Sequence, residues 1–228
     1  MGRRLAAEEA ASRSDAQRAA EMAMEATPLM LQLADTSPVA RAVALDELRK
    51  QPPLSHVPQA PVMCRMLDDA NSGVRRAALE AMSLLPIEER AKALGSSVTE
   101  RLASSTDGVR HAAIWALAKI PAEERASCAA SMRDKLQHED PKVRSAALTA
   151  LGMLHLDDRN AKHAAVVVKL LDDPDAGVRR DALWGMGKMP EALIKYAPEV
   201  VLRLADDDAW VRQVRGEEAP CTCCMCYV

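Results

Sequence analysis

Phenylalanine is missing from this 228-residue chain, and aromatic residues make up only 2% of it. A core must therefore be assembled from Ala, Leu, Val and Met, residues that suit closely approaching helices. β-Branched residues are few, which disfavours a sheet. No run of 18 apolar residues occurs, which excludes a transmembrane helix. The N-terminal stretch MGRRLAAEEAASRSDAQRAAEMAMEA lacks the apolar centre of a secretory signal, and Glu8, Glu9, Asp15, Glu21 and Glu25 argue against a transit peptide. Ala6 breaks the myristoylation pattern. A net charge of −3 supplies no field toward nucleic acid or an anionic membrane. Cys64 and Cys128 stand alone and the other four cysteines crowd the last eight residues, which is no secreted disulfide framework. P-loop, GxGxxG and GxSxG motifs are absent, and the two glycines of GMGKM at 185–189 read as close helix packing. The expectation is a cytoplasmic protein with no cofactor and no membrane contact.

What the chain does have is a repeat. Leucines fall at Leu33, Leu67, Leu102, Leu136, Leu171 and Leu204, and arginines eight residues later at Arg41, Arg75, Arg110, Arg144, Arg179 and Arg212. Six copies spaced by 33 to 35 residues are the mark of a solenoid. In all but the first copy, Val precedes the Arg. Three residues before that Val position stand Ser37, Asn71, Thr106, Asp140, Asp175 and Asp208, each a residue type that caps a helix N-terminus. Pro38 and Pro141 follow at the first helical position, where proline is tolerated. Each Arg thus opens a helix. Stretches such as VRRAALEAMSLLP and VRHAAIWALAKIP repeat small and apolar residues at helical spacing and stop at Pro52, Pro86, Pro121 and Pro190. A second amphipathic stretch, such as IEERAKALGSSVTERLA, completes each unit as helix A, turn, helix B. Neither helix buries its face alone, so neighbouring units must stack.

The pattern L-x-D-x-D-x-x-V-R-x-x-A-x-x-A-L-G, matched most fully by LLDDPDAGVRRDALWGMGKMP, resembles the HEAT repeat in its short, phycobilisome-lyase-type variant over roughly residues 28 to 215. The resemblance implies an all-α, right-handed α-solenoid of about six helical hairpins of the armadillo-like kind, the last one incomplete. It also implies that the Val packs between helices. The six arginines would then form a structural ladder, reaching acidic groups in neighbouring turns, where Asp69, Asp107, Asp140, Asp173 and Asp207 are available.

Function is then to be sought where repeats differ on an exposed face. Positions two, six and ten residues after the Val share one side of helix B. They hold Arg76, Glu80 and Leu84; His111, Trp115 and Lys119; Ser145, Thr149 and Met153; and Arg180, Trp184 and Lys188. Trp and Arg are enriched in binding hot spots. The expected partner is another protein, bound by Trp115 and Trp184 with Arg76, His111, Lys119, Arg180 and Lys188 around them. The competing reading is that each Trp simply packs between helices. Single-stranded nucleic acid could use such a strip, but the acidic turns and negative charge oppose it. An alternative role is that of an enzyme subunit, bilin lyase-like or metal-dependent like deoxyhypusine hydroxylase, whose fold the repeat resembles. That hydroxylase carries His-Glu pairs in its helices, whereas the one pair here, His138-Glu139, falls in a turn, and no residue identifies a tetrapyrrole site. His56, His155 and His163 read as surface or loop residues. No metal site and no catalytic constellation emerges.

Three regions follow: residues 1–27 as an N-terminal helical leader or cap, 28–215 as the array, and 216–228 as a disordered Cys-rich tail. Cys221, Cys223, Cys224 and Cys226 lie too close together for the usual two-pair zinc spacing. The last helix B loses the pattern at Val214, Arg215 and Gly216, as if the array had continued or the chain had been cut.

Overall fold

A computed structural model describes residues 28–154 and 163–214 of the chain. The leader at 1–27, the tail at 216–228 and His155 lie outside the described residues. Within them every regular element is helical and no strand occurs.

The helices form two layers. The A layer begins with α1 (Pro28–Leu33), followed by the first B helix, α2 (Pro38–Arg49). A 3-10 segment, Pro53–Gln59, leads into α3 (Ala60–Met66) of the A layer and then α4 (Ser72–Met82) of the B layer. The third unit pairs α5 (Ile87–Arg101) with α6 (Asp107–Ala118). In the fourth, helix A is broken by 3-10 turns into α7 (Ala122–Arg125) and α8 (Ala129–Asp134), and α9 (Pro141–Leu151) is helix B. The fifth has α10 (Ala164–Val167) running into a 3-10 segment, then α11 (Ala176–Gly187). The sixth has α12 (Pro190–Lys195), α13 (Ala197–Leu202) and α14 (Ala209–Arg212). Each B helix packs on the next, α2 on α4, α4 on α6, α6 on α9, α9 on α11 and α11 on α14, and each also packs on the A segment of its own unit.

Five of the six B helices start at a side-chain cap. Asn71 accepts the Gly73 and Val74 N–H groups at 2.8 and 3.3 Å, Asp140 accepts from Lys142 at 2.8 Å, Asp175 from Val178 at 3.0 Å and Asp208 from Trp210 at 2.8 Å. Thr106 holds the cap position without a side-chain bond; its own N–H is taken by Ser104 at 3.2 Å. Behind the caps, Val74, Val109, Val143, Val178 and Val211 are buried, as are Leu33, Leu67, Leu102, Leu136 and Leu171. Each such Leu contributes on the order of 2 kcal/mol on leaving water. Neighbouring A segments approach closely at Gly95 of α5, where a Cβ would lie 2.8 Å from the Cys128 sulfur.

The ladder has a fixed geometry with two rungs changed. Arg41 grips Asp69 through Nε and Nη2 at 2.5 and 2.9 Å, Arg144 grips Asp173 at 2.8 and 2.7 Å, and Arg179 grips Asp206 at 2.9 and 2.7 Å. Each accepting carboxylate also takes the backbone N–H two residues on, from Asn71, Asp175 or Asp208. Ser104 and His138 fill this acceptor position in the two middle turns, taking the N–H of Thr106 and Asp140. Arg75 there bonds the Asp69 and Ala70 carbonyls of its own turn, and Arg110 ion-pairs with Asp107 of its own helix. The expected acceptors Asp107, Asp140 and Asp207 are therefore corrected. Asp107 serves Arg110 of its own helix and Lys142 of the next unit, Asp140 caps a helix, and Asp206 rather than Asp207 meets Arg179, because the residue two before the cap is the one whose carboxylate is held in place by a backbone N–H of its own turn.

Sequence reasoning missed a second set of links at the opposite helix ends. Arg90 donates to the carbonyls of Ser83 and Leu85 at the end of α4 and of Lys119 at the end of α6, at 2.6, 3.0 and 3.0 Å. Arg125 likewise bonds the Ile120 carbonyl at 2.7 Å and reaches Met153 in the next unit. Free carbonyls carrying the negative end of the helix dipole attract such cations. The signal was the repeated P-x-E-E-R at Pro86 and Pro121. His56 stands in the same register. It is buried, with Nε2 2.8 Å from the Leu48 carbonyl, and His163 is buried too. Both correct the expectation of surface histidines; for His56 the reason is that a polar group is needed where helix B ends inside the array.

Candidate partner-binding surface

The B helices turn one side away from the A layer, and that side carries the varied positions. Arg76 and Glu80 are exposed on α4; on α6 Trp115 is 41% exposed and His111 and Lys119 are half-buried. Between α2 and α4 runs a shallow groove of about 380 Å³, with Val39 and Val43 on one wall, Arg76 and Ala77 on the other, and Asp46 and Glu80 at its edge. Arg49 reaches Glu80 at 2.8 Å across the same seam. The groove thus mixes apolar walls with charges of both signs.

The tryptophans are not equivalent. Trp184 is half-buried, its ring close to Gly152 at the end of α9, and the Lys188 ammonium sits 3.5 Å above the ring centroid. Arg180 bonds Asp181 at 3.1 and 2.9 Å, and Asp181 also takes the Ser145 hydroxyl of the preceding B helix. This patch is knitted into the seam between α9 and α11. Trp115 instead presents its ring outward. Burial, and then the charge of Arg110, lowers the His111 imidazole below the usual histidine value, so His111 stands beside Trp115 as a neutral group at pH 7.

His138 and Glu139 do not converge with other ligands: the His138 Nδ1 takes the Asp140 N–H at 3.1 Å. Among the described residues, no group of three or more His, Cys, Asp and Glu side chains gathers as a metal site would. No described helix is long and apolar enough to cross a membrane.

Stacked helical hairpins and a capped B layer define an α-solenoid of the armadillo-like kind. The HEAT repeats family matches residues 26–118 and 129–219, and the chain belongs to that family. No curated protein matches it. Among solved structures, it is similar to a chain from work on tubulin recruitment and assembly by microtubule polymerases with Tumor Overexpressed Gene (TOG) domain arrays. The TM-score is 0.55 at 14% identity, over 86% of this chain and 49% of that one. A chain from work on microtubule plus-end tracking by XMAP215, CLIP-170 and EB1 gives 0.53 at 19% identity, over 84% of this chain and 88% of that one. A designed armadillo repeat protein in complex with the peptide (KR)4 gives 0.47 at 19% identity, over 81% and 93%. At these identities the likeness to the first two chains is one of fold.

Proposed function

We propose that this chain is a scaffold or adaptor that binds another protein along its helix-B surface. The observation that carries the reading is Trp115. It is exposed on α6 at a register where the neighbouring units place Glu80 and Thr149, so stacking does not require an aromatic ring there. Arg76 on α4 and His111 and Lys119 on α6 surround it, and the Val39–Val43 groove extends the same surface. A rigid aromatic anchor flanked by a cation gives a partner both apolar area and an ion-pairing point. Trp184, Lys188 and Arg180 provide a second, less accessible contact farther along the array.

The test compares the chain with its Trp115→Ala and Arg76→Glu variants by affinity capture and mass spectrometry, with circular dichroism as the control for helicity. A protein captured by the parent chain should be lost from both variants, with affinity reduced about 30-fold for a hot spot of about 2 kcal/mol. A partner list unchanged by both variants would remove this surface from the function.

A further inference from the structure

Both halves of a ladder rung recur, uncombined, at the two ends of the described array. At one end Arg212 turns Nη1 back onto the Asp206 and Asp207 carbonyls at 2.5 and 2.9 Å. Arg144 and Arg179 hold Nη1 on their own turns in the same way, which leaves Nε and Nη2 to grip the next Asp. Arg212 is exposed. At the other end Asp35 accepts the Ser37 N–H at 2.7 Å, the pose that Asp69, Asp173 and Asp206 adopt to receive an arginine, and it too is exposed.

The apolar surfaces match this pattern. Leu204 is 65% exposed, whereas its counterparts Leu33, Leu67, Leu102, Leu136 and Leu171 are at most 2% exposed. Val201 is exposed where Cys64 and Thr99 of the same register are buried. At the other end Val43 is exposed, whereas its counterparts Ala112 and Ala146 are buried. That register faces the preceding unit, since Asp181 in it meets Ser145 of the helix before. Val39 does not block a rung, because the Arg179–Asp206 rung forms with the larger Trp210 in the equivalent place.

We infer that the chain binds a second copy of itself head to tail, with Arg212 of one copy gripping Asp35 of the next, α14 lying against the Val43 side of α2, and Leu204 and Val201 covered by the A segment of that copy's first unit. Such a contact joins two different surfaces and need not close, so it builds chains whose length grows with concentration. It adds self-association to the proposed partner binding and does not depend on that reading.

Sedimentation of the full chain over a range of concentrations tests this. The parent should gain mass with concentration, while Arg212→Asp alone and Asp35→Arg alone should stay monomeric, because each juxtaposes like charges. An equimolar mixture of the two variants should recover the association, since Asp at 212 then meets Arg at 35. Both residues are exposed, so folding is spared, and circular dichroism checks it. A parent chain that is monomeric throughout, as when the terminal segments or another protein cover the ends, overturns the inference. So does association that the single variants leave unchanged, or a mixture that fails to recover it.

Discussion

Arginine plays several roles in this chain, and its partner sets the worth of each. The Arg144–Asp173 pair is nearly enclosed, with side-chain exposures of 11% and 4%, whereas Asp68, the partner of Arg101, is 50% exposed. Removing one member of an enclosed pair strands a charge, while an exposed pair is screened by water. Asp173→Ala should therefore cost about 3 kcal/mol, and Asp68→Ala less than about 1 kcal/mol, read as shifts of the urea midpoint. Equal costs would show that the rung does not control stability. The donor side of this ladder is legible in the sequence because Arg recurs at constant distance from Leu. The acceptor is not, because turns such as Asp206-Asp207-Asp208 offer three adjacent carboxylates and only backbone geometry selects the first.

Helices differ in how fully their residues announce them. Most B helices carry cap, buried face and proline stop in one stretch, so that their starts follow from side chain and backbone. The A segments carry fewer such signals, and AEERASCAASMRDKLQ, amphipathic throughout, is split by 3-10 turns. One of those turns, Ala126–Cys128, is where the segment meets α5 at Gly95. Gly95→Ala should improve intrinsic helix propensity by about 1 kcal/mol, yet lower the melting temperature, because the new methyl would meet the buried Cys128 sulfur. Combining it with Cys128→Ala should restore the melting temperature. A single variant that melts higher than the parent would mean that the two neighbouring A segments can part without cost.

Two of the rungs that join neighbouring units make the stability of the whole molecule depend on pH. The hydrogen bond from Arg41 holds the Asp69 carboxyl below the usual range, and the bond from Arg179 does the same for Asp206. A carboxyl depressed in the folded state stabilises it above the unfolded value of about 3.9. That contribution is lost as the pH falls through the still lower folded value. Thermal melts should therefore be flat from about pH 7 to about pH 5 and fall steeply below about pH 4. The Asp69→Asn, Asp206→Asn double variant should melt lower at neutral pH and show a shallower acid limb. A limb of unchanged slope would place the acid sensitivity elsewhere in the molecule.

Local chemistry and periodicity were enough to determine the all-α class, the hairpin unit, the B-helix starts and the buried Leu and Val columns, because each depends on residues within one unit. Three things were decided only by stacking: which carboxylate receives each arginine, that His56 and Arg90 cap helix ends, and that Trp184 settles into a seam while Trp115 faces outward. Each depends on the distance between units, and the spacing of residues along one chain does not encode that distance.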